Sequence, residues 1–272
     1  MKKLLLSVIA LYFSVAVFGQ EAADKKIQAG LVVGTGFDMQ QVGTKYFTKN
    51  GVGSDLTIGA NVNFNFTNTI GLTTGIEFDF SRMNFKANPN YDIYYRYDDA
   101  KIFRKGDTQG NESLMQLSER NQRMVYMTIP TMVLFRTNYF GYFRYFGKFG
   151  LKHSFLLGSK SFDKGTLYED GNLLAAGVSG DNKSMKLNAG SDLFFYRGSV
   201  GLAAGAEWNF SGPTCLVAEI GYYYGFTPMF YNRKEDKRSL FYTSAEPGGI
   251  TQNYINNVAR QSQLLLKISI LF

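Results

Sequence analysis

The sequence predicts an all-β fold: eight antiparallel strands closed up-and-down into a transmembrane barrel, with short turns at one end and long loops at the other. Three observations carry this. Apolar residues recur every second position over eight segments of the 272-residue chain. The links between those segments alternate short and long. Aromatic residues make up 16% of the chain, while Cys and His occur once each and Pro five times.

The chain opens on a segment set apart from the strands. Met1-Lys2-Lys3 is a short basic stretch, residues 4–18 are nearly all apolar, and Val17-Phe18-Gly19 offers residues tolerated before a cleavage point at Gln20. This is the layout of a secretory signal peptide over 1–19, leaving 20–272 as one barrel domain. The apolar run is too short for a membrane anchor, and no later segment has the ~18 consecutive apolar residues of a spanning helix.

Successive strand side chains point to opposite faces. In the first strand Ala29, Leu31, Val33, Thr35 and Phe37 oppose Gly30, Val32, Gly34, Gly36 and Asp38. In the second, Leu56, Ile58, Ala60, Val62, Phe64 and Phe66 oppose Thr57, Gly59, Asn61, Asn63 and Asn65. In the third, Ile70, Leu72, Thr74, Ile76, Phe78 and Phe80 oppose Gly71, Thr73, Gly75, Glu77, Asp79 and Ser81. The fourth runs over 125–136, with Thr128, Pro130 and Arg136 on its reverse, and the fifth places Lys148, Gly150, Lys152 and Ser154 against Phe149, Leu151 and Phe155. The sixth (200–210) carries Glu207, the seventh (216–226) Glu219, and the eighth (263–272) Lys267 on the polar face. Most of these segments exceed the ~9–11 residues that cross a bilayer at a tilt.

A water-soluble sandwich would hide its apolar face and show its charges. Here the polar face is rich in Gly and in charges of both signs, which suits a narrow barrel interior. The apolar face is broad and ends in aromatics, which suits lipid with aromatic girdles at the interfaces. The predicted interior charge network is Glu77, Asp79, Lys148, Lys152, Glu207, Glu219 and Lys267, with Arg197 on the same face. An eight-stranded barrel is filled by its own side chains, so no open pore is expected. Short links near 67–69, 137–142 and 211–214 alternate with long ones near 40–55, 86–122, 159–194 and 228–259, as outer-membrane barrels do with periplasmic turns and outer loops.

On this pattern the mature chain resembles the eight-stranded outer-membrane barrels of Bacteroidota called PorT-like. The resemblance is carried by Val17-Phe18-Gly19-Gln20, Gly30-Leu31-Val32-Val33-Gly34, Val125-Tyr126-Met127-Thr128-Ile129-Pro130 and Leu266-Lys267-Ile268-Ser269-Ile270-Leu271-Phe272. It implies an integral outer-membrane protein. It also implies that Phe272 ends a signal read by the barrel assembly machinery. One named relative supports type IX protein secretion, a role that fold alone does not transfer.

Catalytic chemistry is poorly supplied. One Cys and one His exclude a Cys/His zinc site and a disulfide framework. Gly34-Thr35-Gly36 has Met39 where a dinucleotide loop needs its third Gly. His153 falls on the lipid-facing parity, and Ser154 beside it has no acid partner. No catalytic residue, cofactor or metal is therefore assigned. Tyr91, Tyr94, Tyr95 and Tyr97 beside Asp92, Asp98 and Asp99 read first as strand extensions that form the outer aromatic girdle, and otherwise as a candidate binding surface, because Tyr joins apolar area to a hydroxyl. The mixed run Arg233-Lys234-Glu235-Asp236-Lys237-Arg238 reads as a solvated tip or a partner for lipopolysaccharide phosphate. The expected partners are outer-membrane lipid and lipopolysaccharide, and an envelope or secretion protein; Lys and Arg are too interrupted for nucleic acid. The functional reading is a non-enzymatic barrel with a structural or docking role, against type IX secretion or gliding, and a barrel hydrolase, as alternatives.

Overall fold

A computed structural model describes residues 26–98, 101–107, 112–168, 183–187, 193–211, 214–231, 236–244 and 252–272. The expected signal segment 1–19 lies outside these residues. Fourteen strands appear among them: β1 (Ile27–Gln41), β2 (Phe47–Lys49), β3 (Gly53–Asn65), β4 (Ile70–Ala87), β5 (Tyr94–Asp98), β6 (Lys101–Phe103), β7 (Ser113–Arg136), β8 (Phe143–Tyr168), β9 (Lys183–Leu187), β10 (Tyr196–Ser211), β11 (Thr214–Gly225), β12 (Tyr242–Ser244), β13 (Gln252–Tyr254) and β14 (Arg260–Leu271).

Eight of them close a ring: β1 pairs β3, β3 pairs β4, β4 pairs β7, β7 pairs β8, β8 pairs β10, β10 pairs β11, β11 pairs β14, and β14 returns to β1, all antiparallel. Closure leaves no unpaired edge for lipid to meet, which is why a sheet can span a membrane only as a barrel. The seam is tied at its inner end, where Ala29 N–H donates to the Phe272 carbonyl (3.2 Å) and Phe272 N–H donates to the Ala29 carbonyl (2.9 Å). The short turns fall between β3 and β4, β7 and β8, and β10 and β11. Gly141, at φ 64°, supplies the left-handed residue in the second of these.

The alternation read from sequence sorts inside from outside. Leu31, Val33, Phe37, Ile58, Phe78, Phe80, Phe149, Leu202, Ile220, Leu266 and Ile268 all face outward and are exposed. Asp38, Thr57, Asn61, Glu77, Asp79, Thr128, Lys152 and Ser269 face inward and are buried. An apolar surface this continuous belongs against hydrocarbon.

Two strands run further than expected. β7 begins at Ser113 rather than near 125, and β8 continues to Tyr168 rather than ending near 158. Their register shifts between Leu117 and Glu119, and where Val125 faces Gly158 but Tyr126 faces Leu156. A β-bulge adds one residue to one strand and so exchanges its faces. Beyond the bulge on β8 the inward set is Ser161, Asp163 and Leu167, odd positions where Lys148, Lys152 and Ser154 were even. These extensions, with the short strands β2, β5, β6, β12 and β13, form a cap above the membrane. The cap encloses an apolar core of Phe47, Met83, Phe85, Tyr95, Met115, Met124, Tyr126, Phe230, Phe241 and Ile255 among others.

Candidate functional site

The barrel interior is built in three levels from residues that the two-residue period turns inward. At the periplasmic end Glu207 on β10 accepts from Arg136 Nε (2.9 Å) and from Arg144 Nε. Arg136 also donates to Asn65 Oδ1 (2.5 Å) and Gln28 Oε1 (3.1 Å), so one guanidinium links β1, β3, β7 and β10. Cys215 is buried beside Leu134, Phe146, Val217 and Leu271.

At mid-barrel Lys267 Nζ donates to both Glu77 oxygens (2.6 and 2.8 Å), and Lys148 Nζ donates to Glu219 (2.5 Å). Lys152 lies 3.5 Å from Asp79 and 3.9 Å from Glu77. The Tyr223 ring sits among them, 4.7 Å from Lys152 Nζ and 5.7 Å from Lys267 Nζ, with its hydroxyl donating to Glu219 (3.4 Å). One level outward, Asp79 accepts from Arg197 (3.1 Å), Thr57 (2.8 Å) and Thr128 (2.7 Å). Arg197 also donates to Gln261 (2.9 Å) and lies 4.1 Å from the Tyr126 ring. Gln263 donates to Asp55 (2.7 Å), and the Ser81 hydroxyl donates to Asp38.

Of the seven interior charges expected from sequence, Glu77, Asp79, Lys152 and Lys267 meet in one cluster. Lys148 and Glu219 join it through Tyr223, and Glu207 sits apart with two arginines. Sequence reasoning left out Arg136, Arg144, Asp55 and Tyr223 as partners. Arg136 was already on the inward parity of its strand, whereas Arg144 sits beside a turn where alternation has barely begun. Most of the described interior charges pair with one another, with Asp38 Oδ1 and Arg197 Nε left over among the described residues. His153 Nδ1 pairs with the Tyr196 hydroxyl (2.8 Å) on the outer wall, while Ser154 Oγ faces inward to Thr128 (2.7 Å). Adjacent on one strand, the two point to opposite sides of the barrel wall. Among the described residues no group of three or more His, Cys, Asp and Glu could hold a metal ion.

The cap corrects the expected tyrosine surface. Tyr95 is 0% exposed and Tyr94 6% exposed; only Tyr91 and Tyr97 are half-open. Tyr95 turns into the apolar core against Phe241, with ring centroids 6.0 Å apart. Tyr94 packs with Tyr242 and Tyr254. The expected loop is part of a sheet packed on both sides, so the adjacent Tyr94 and Tyr95 point to its opposite faces and are buried in separate clusters rather than offered together. Burial pushes the Tyr94 and Tyr254 hydroxyls up to about 12, and that of Tyr95 well above the usual phenol range. Within the core Arg120 and Asp163 pair through Nε–Oδ1 (2.8 Å), Nε–Oδ2 (3.1 Å) and a second guanidinium nitrogen to Oδ2 (2.6 Å), with both side chains 0% exposed. The Arg120 guanidinium lies 4.7 Å from the Phe241 ring and 5.3 Å from that of Tyr95. Of the charged run 233–238, residues 233–235 lie outside the described set. Arg238 pairs with Asp236 (2.9 Å) and covers the Tyr231 ring at 3.5 Å.

A family model described as "Outer membrane protein beta-barrel domain" matches residues 18–231. No curated protein matches the chain. Among solved structures, Ail, the attachment invasion locus protein of Yersinia pestis, is 13% identical, over 91% of this chain and 100% of that one, at a TM-score of 0.35. Neisserial surface protein A is 6% identical over 91% and 98%, at 0.34. A major outer membrane protein of Thermus thermophilus is 14% identical over 90% and 99%, at 0.35. Likenesses this distant say nothing about the role of this chain.

Proposed function

Because the chain belongs to the outer membrane protein β-barrel domain family, we propose that it is a non-conducting, non-enzymatic barrel that reinforces the envelope and presents its folded cap as a docking platform. The observation that carries this reading is the apolar core that fills the outer mouth, stacked directly on the mid-barrel ion network. A solute path would have to separate Phe47, Tyr95, Phe230 and Phe241 and then pass Lys152, Asp79 and Arg197, groups already bonded to one another. A platform needs rigidity, and short strands packed on a core supply it where free loops would not. The motifs 125–130 and 266–272 support a PorT-like origin in Bacteroidota, and the opposed directions of His153 and Ser154 weigh against a hydrolase.

The test has two arms. Purified protein reconstituted in planar bilayers gives no stepwise conductance, and a regular open-channel current overturns the closed-barrel reading. Gentle detergent extraction of the tagged full chain from its native membrane then identifies what the cap holds. Recovery of one stoichiometric envelope protein is expected. Recovery with secretion machinery, joined by cargo stranded in the periplasm on deletion, replaces the structural role by the secretion one.

A further inference from the structure

The outer wall changes character at the same step on three neighbouring strands. Outward along β4 the lipid-facing residues run Ile76, Phe78, Phe80 and then Arg82. Along β7 they run Ile129, Met127, Val125 and then Arg123. Along β8 they pass Leu157 and Gly158 to Lys160. The register sets these three cations side by side: Arg82 is directly opposite Arg123, and Arg123 directly opposite Lys160. All three are exposed. Directly opposed side chains have Cβ atoms about 4.5–5.5 Å apart, and like charges there are destabilising.

The neighbouring row shows how this wall balances charge when it does so by itself. Two pairs further out, Lys86, Glu119 and Lys164 stand in the order plus, minus, plus, with Glu119 2.9 Å from Lys86 and 3.6 Å from Lys164. Glu119 is the one carboxylate on the outward faces of β3, β4, β7 and β8 among the described residues, and it is engaged there. Among the described residues the Arg82 row has no such partner. It sits one outward-facing position, about 6.6–6.8 Å along the strand, beyond the last apolar residues. That is the level at which lipid headgroups begin. The Arg123 guanidinium lies over the Phe162 ring, 4.5 Å from its centroid. Above it opens a cleft of about 310 Å³ lined by Asn50, Asn84, Asn121 and Phe162 together with Glu119, Arg120 and Lys164. Amides beside an aromatic ring suit a sugar, and forked guanidiniums beside an ammonium suit a phosphate.

We propose that Arg82, Arg123 and Lys160 form a site for the phosphate of a phosphorylated glycolipid of the outer leaflet, its sugar lying in the cleft above. The site is on the barrel's outer wall and does not depend on the cap's docking role. It shares with that reading only the placement of the long loops outside. A failed pull-down therefore leaves it standing, and its own failure leaves the closed platform standing.

The full-length protein in detergent micelles is titrated with bis-phosphorylated lipid A and with the same lipid stripped of phosphate. Binding is followed by native mass spectrometry. The wild type prefers the phosphorylated form by at least about tenfold, from three cations at the headgroup level. R82Q/R123Q/K160Q loses that preference. K45Q/K101Q/K105Q, which removes the same charge from the cap, keeps it. Without lipid the first triple variant is at least as heat-stable as the wild type, because the side-by-side cations are gone. Equal binding of both lipids by the wild type overturns the proposal, as does equal loss in both triple variants, which would mark a net-charge effect. Full competition by inorganic phosphate at matched concentration overturns the glycolipid assignment. If the triple variant does not fold, R123Q alone serves: a several-fold loss supports the site, and an unchanged preference overturns it.

Discussion

Replacing Asp163 by Ala removes one half of an ion pair that water does not reach. Both side chains are 0% exposed, and the guanidinium of Arg120 is left between the Tyr95 and Phe241 rings with its carboxylate gone. Removing one partner of a buried pair costs about 3–5 kcal/mol, because the remaining charge is stranded. At about 1.4 kcal/mol per factor of ten, the folded cap loses between two and four powers of ten in its equilibrium. Replacing both partners, as in R120M/D163L, leaves no stranded charge and restores stability to within about 1 kcal/mol of the wild type or above it. Because the pair sits in the cap, its loss opens β5, β12 and the upper ends of β7 and β8 first. Hydrogen exchange of those amides quickens in D163A, while heat-modifiable gel migration still reports a closed barrel. Urea titration in lipid vesicles gives the magnitude for D163A, and the cycle of R120M, D163L and R120M/D163L isolates the coupling. A cost under about 1 kcal/mol for D163A, or a double variant no better than the single, refutes the idea that this pair holds the cap core shut.

Inside the wall, a Cβ on Gly201 would collide with the Tyr223 ring, so Gly201→Val displaces the ring from its lysines at about 1–3 kcal/mol, read as a lowered urea midpoint. On the outside, Leu266→Arg near the middle of β14 costs about 2–4 kcal/mol by the same titration, since that face meets hydrocarbon, although its neighbour Lys267 carries a charge inward at no such cost. In alkali the phenols of Tyr94 and Tyr254 titrate near 12 rather than near 10. Their raised values hold stability in full below pH ~10 and lose it as pH rises toward 12, so phenolate absorbance and cap opening should climb together there. At the acid side the Lys86 ammonium holds the Glu119 carboxyl below its usual range. That contribution is present above the ordinary Glu value and lost as pH falls below it, and Lys86→Gln raises the Glu119 titration point observed by NMR.

The lipid-embedded half was legible because hydrocarbon enforces a strict separation of faces. Leu56 to Phe66 reads correctly with no knowledge of its partners. Above the membrane both faces of a strand meet protein or water, and the period stops discriminating. Ser113 to Met124 and Ser159 to Tyr168 read as loop for that reason, and because a bulge exchanges the faces partway along β7 and β8. Asp163 was hidden by that exchange: counted from Lys152 and Ser154 it belongs to the outer face, and it is at the centre of the cap. Inward position was readable for Glu77 and Lys267, but their pairing was not. They lie on strands that do not adjoin, and only the closed cylinder brings β4 and β14 side chains together across its axis.

The balance of charge inside the molecule bears on what its outside does. Among the described residues the buried or nearly buried cations are Arg96, Arg120, Arg136, Arg144, Lys148, Lys152, Arg197 and Lys267; the corresponding anions are Asp38, Asp55, Glu77, Asp79, Glu112, Asp163, Glu207 and Glu219. The two sets are equal in number, as a low-dielectric interior requires if each charge is to be neutralised nearby. The formal excess of +7 is therefore carried wholly outside this interior set. On β4, β7 and β8 a net +4 of it stands where solvent gives way to lipid, with one carboxylate, Glu119, for Arg82, Lys86, Arg123, Lys160 and Lys164 together. Under the glycolipid site proposed above, the anionic leaflet around the barrel completes this unmatched wall. The cations then serve two ends at once: they fix how deep the cylinder rides, and they anchor the extended ends of β7 and β8 on which the cap is built.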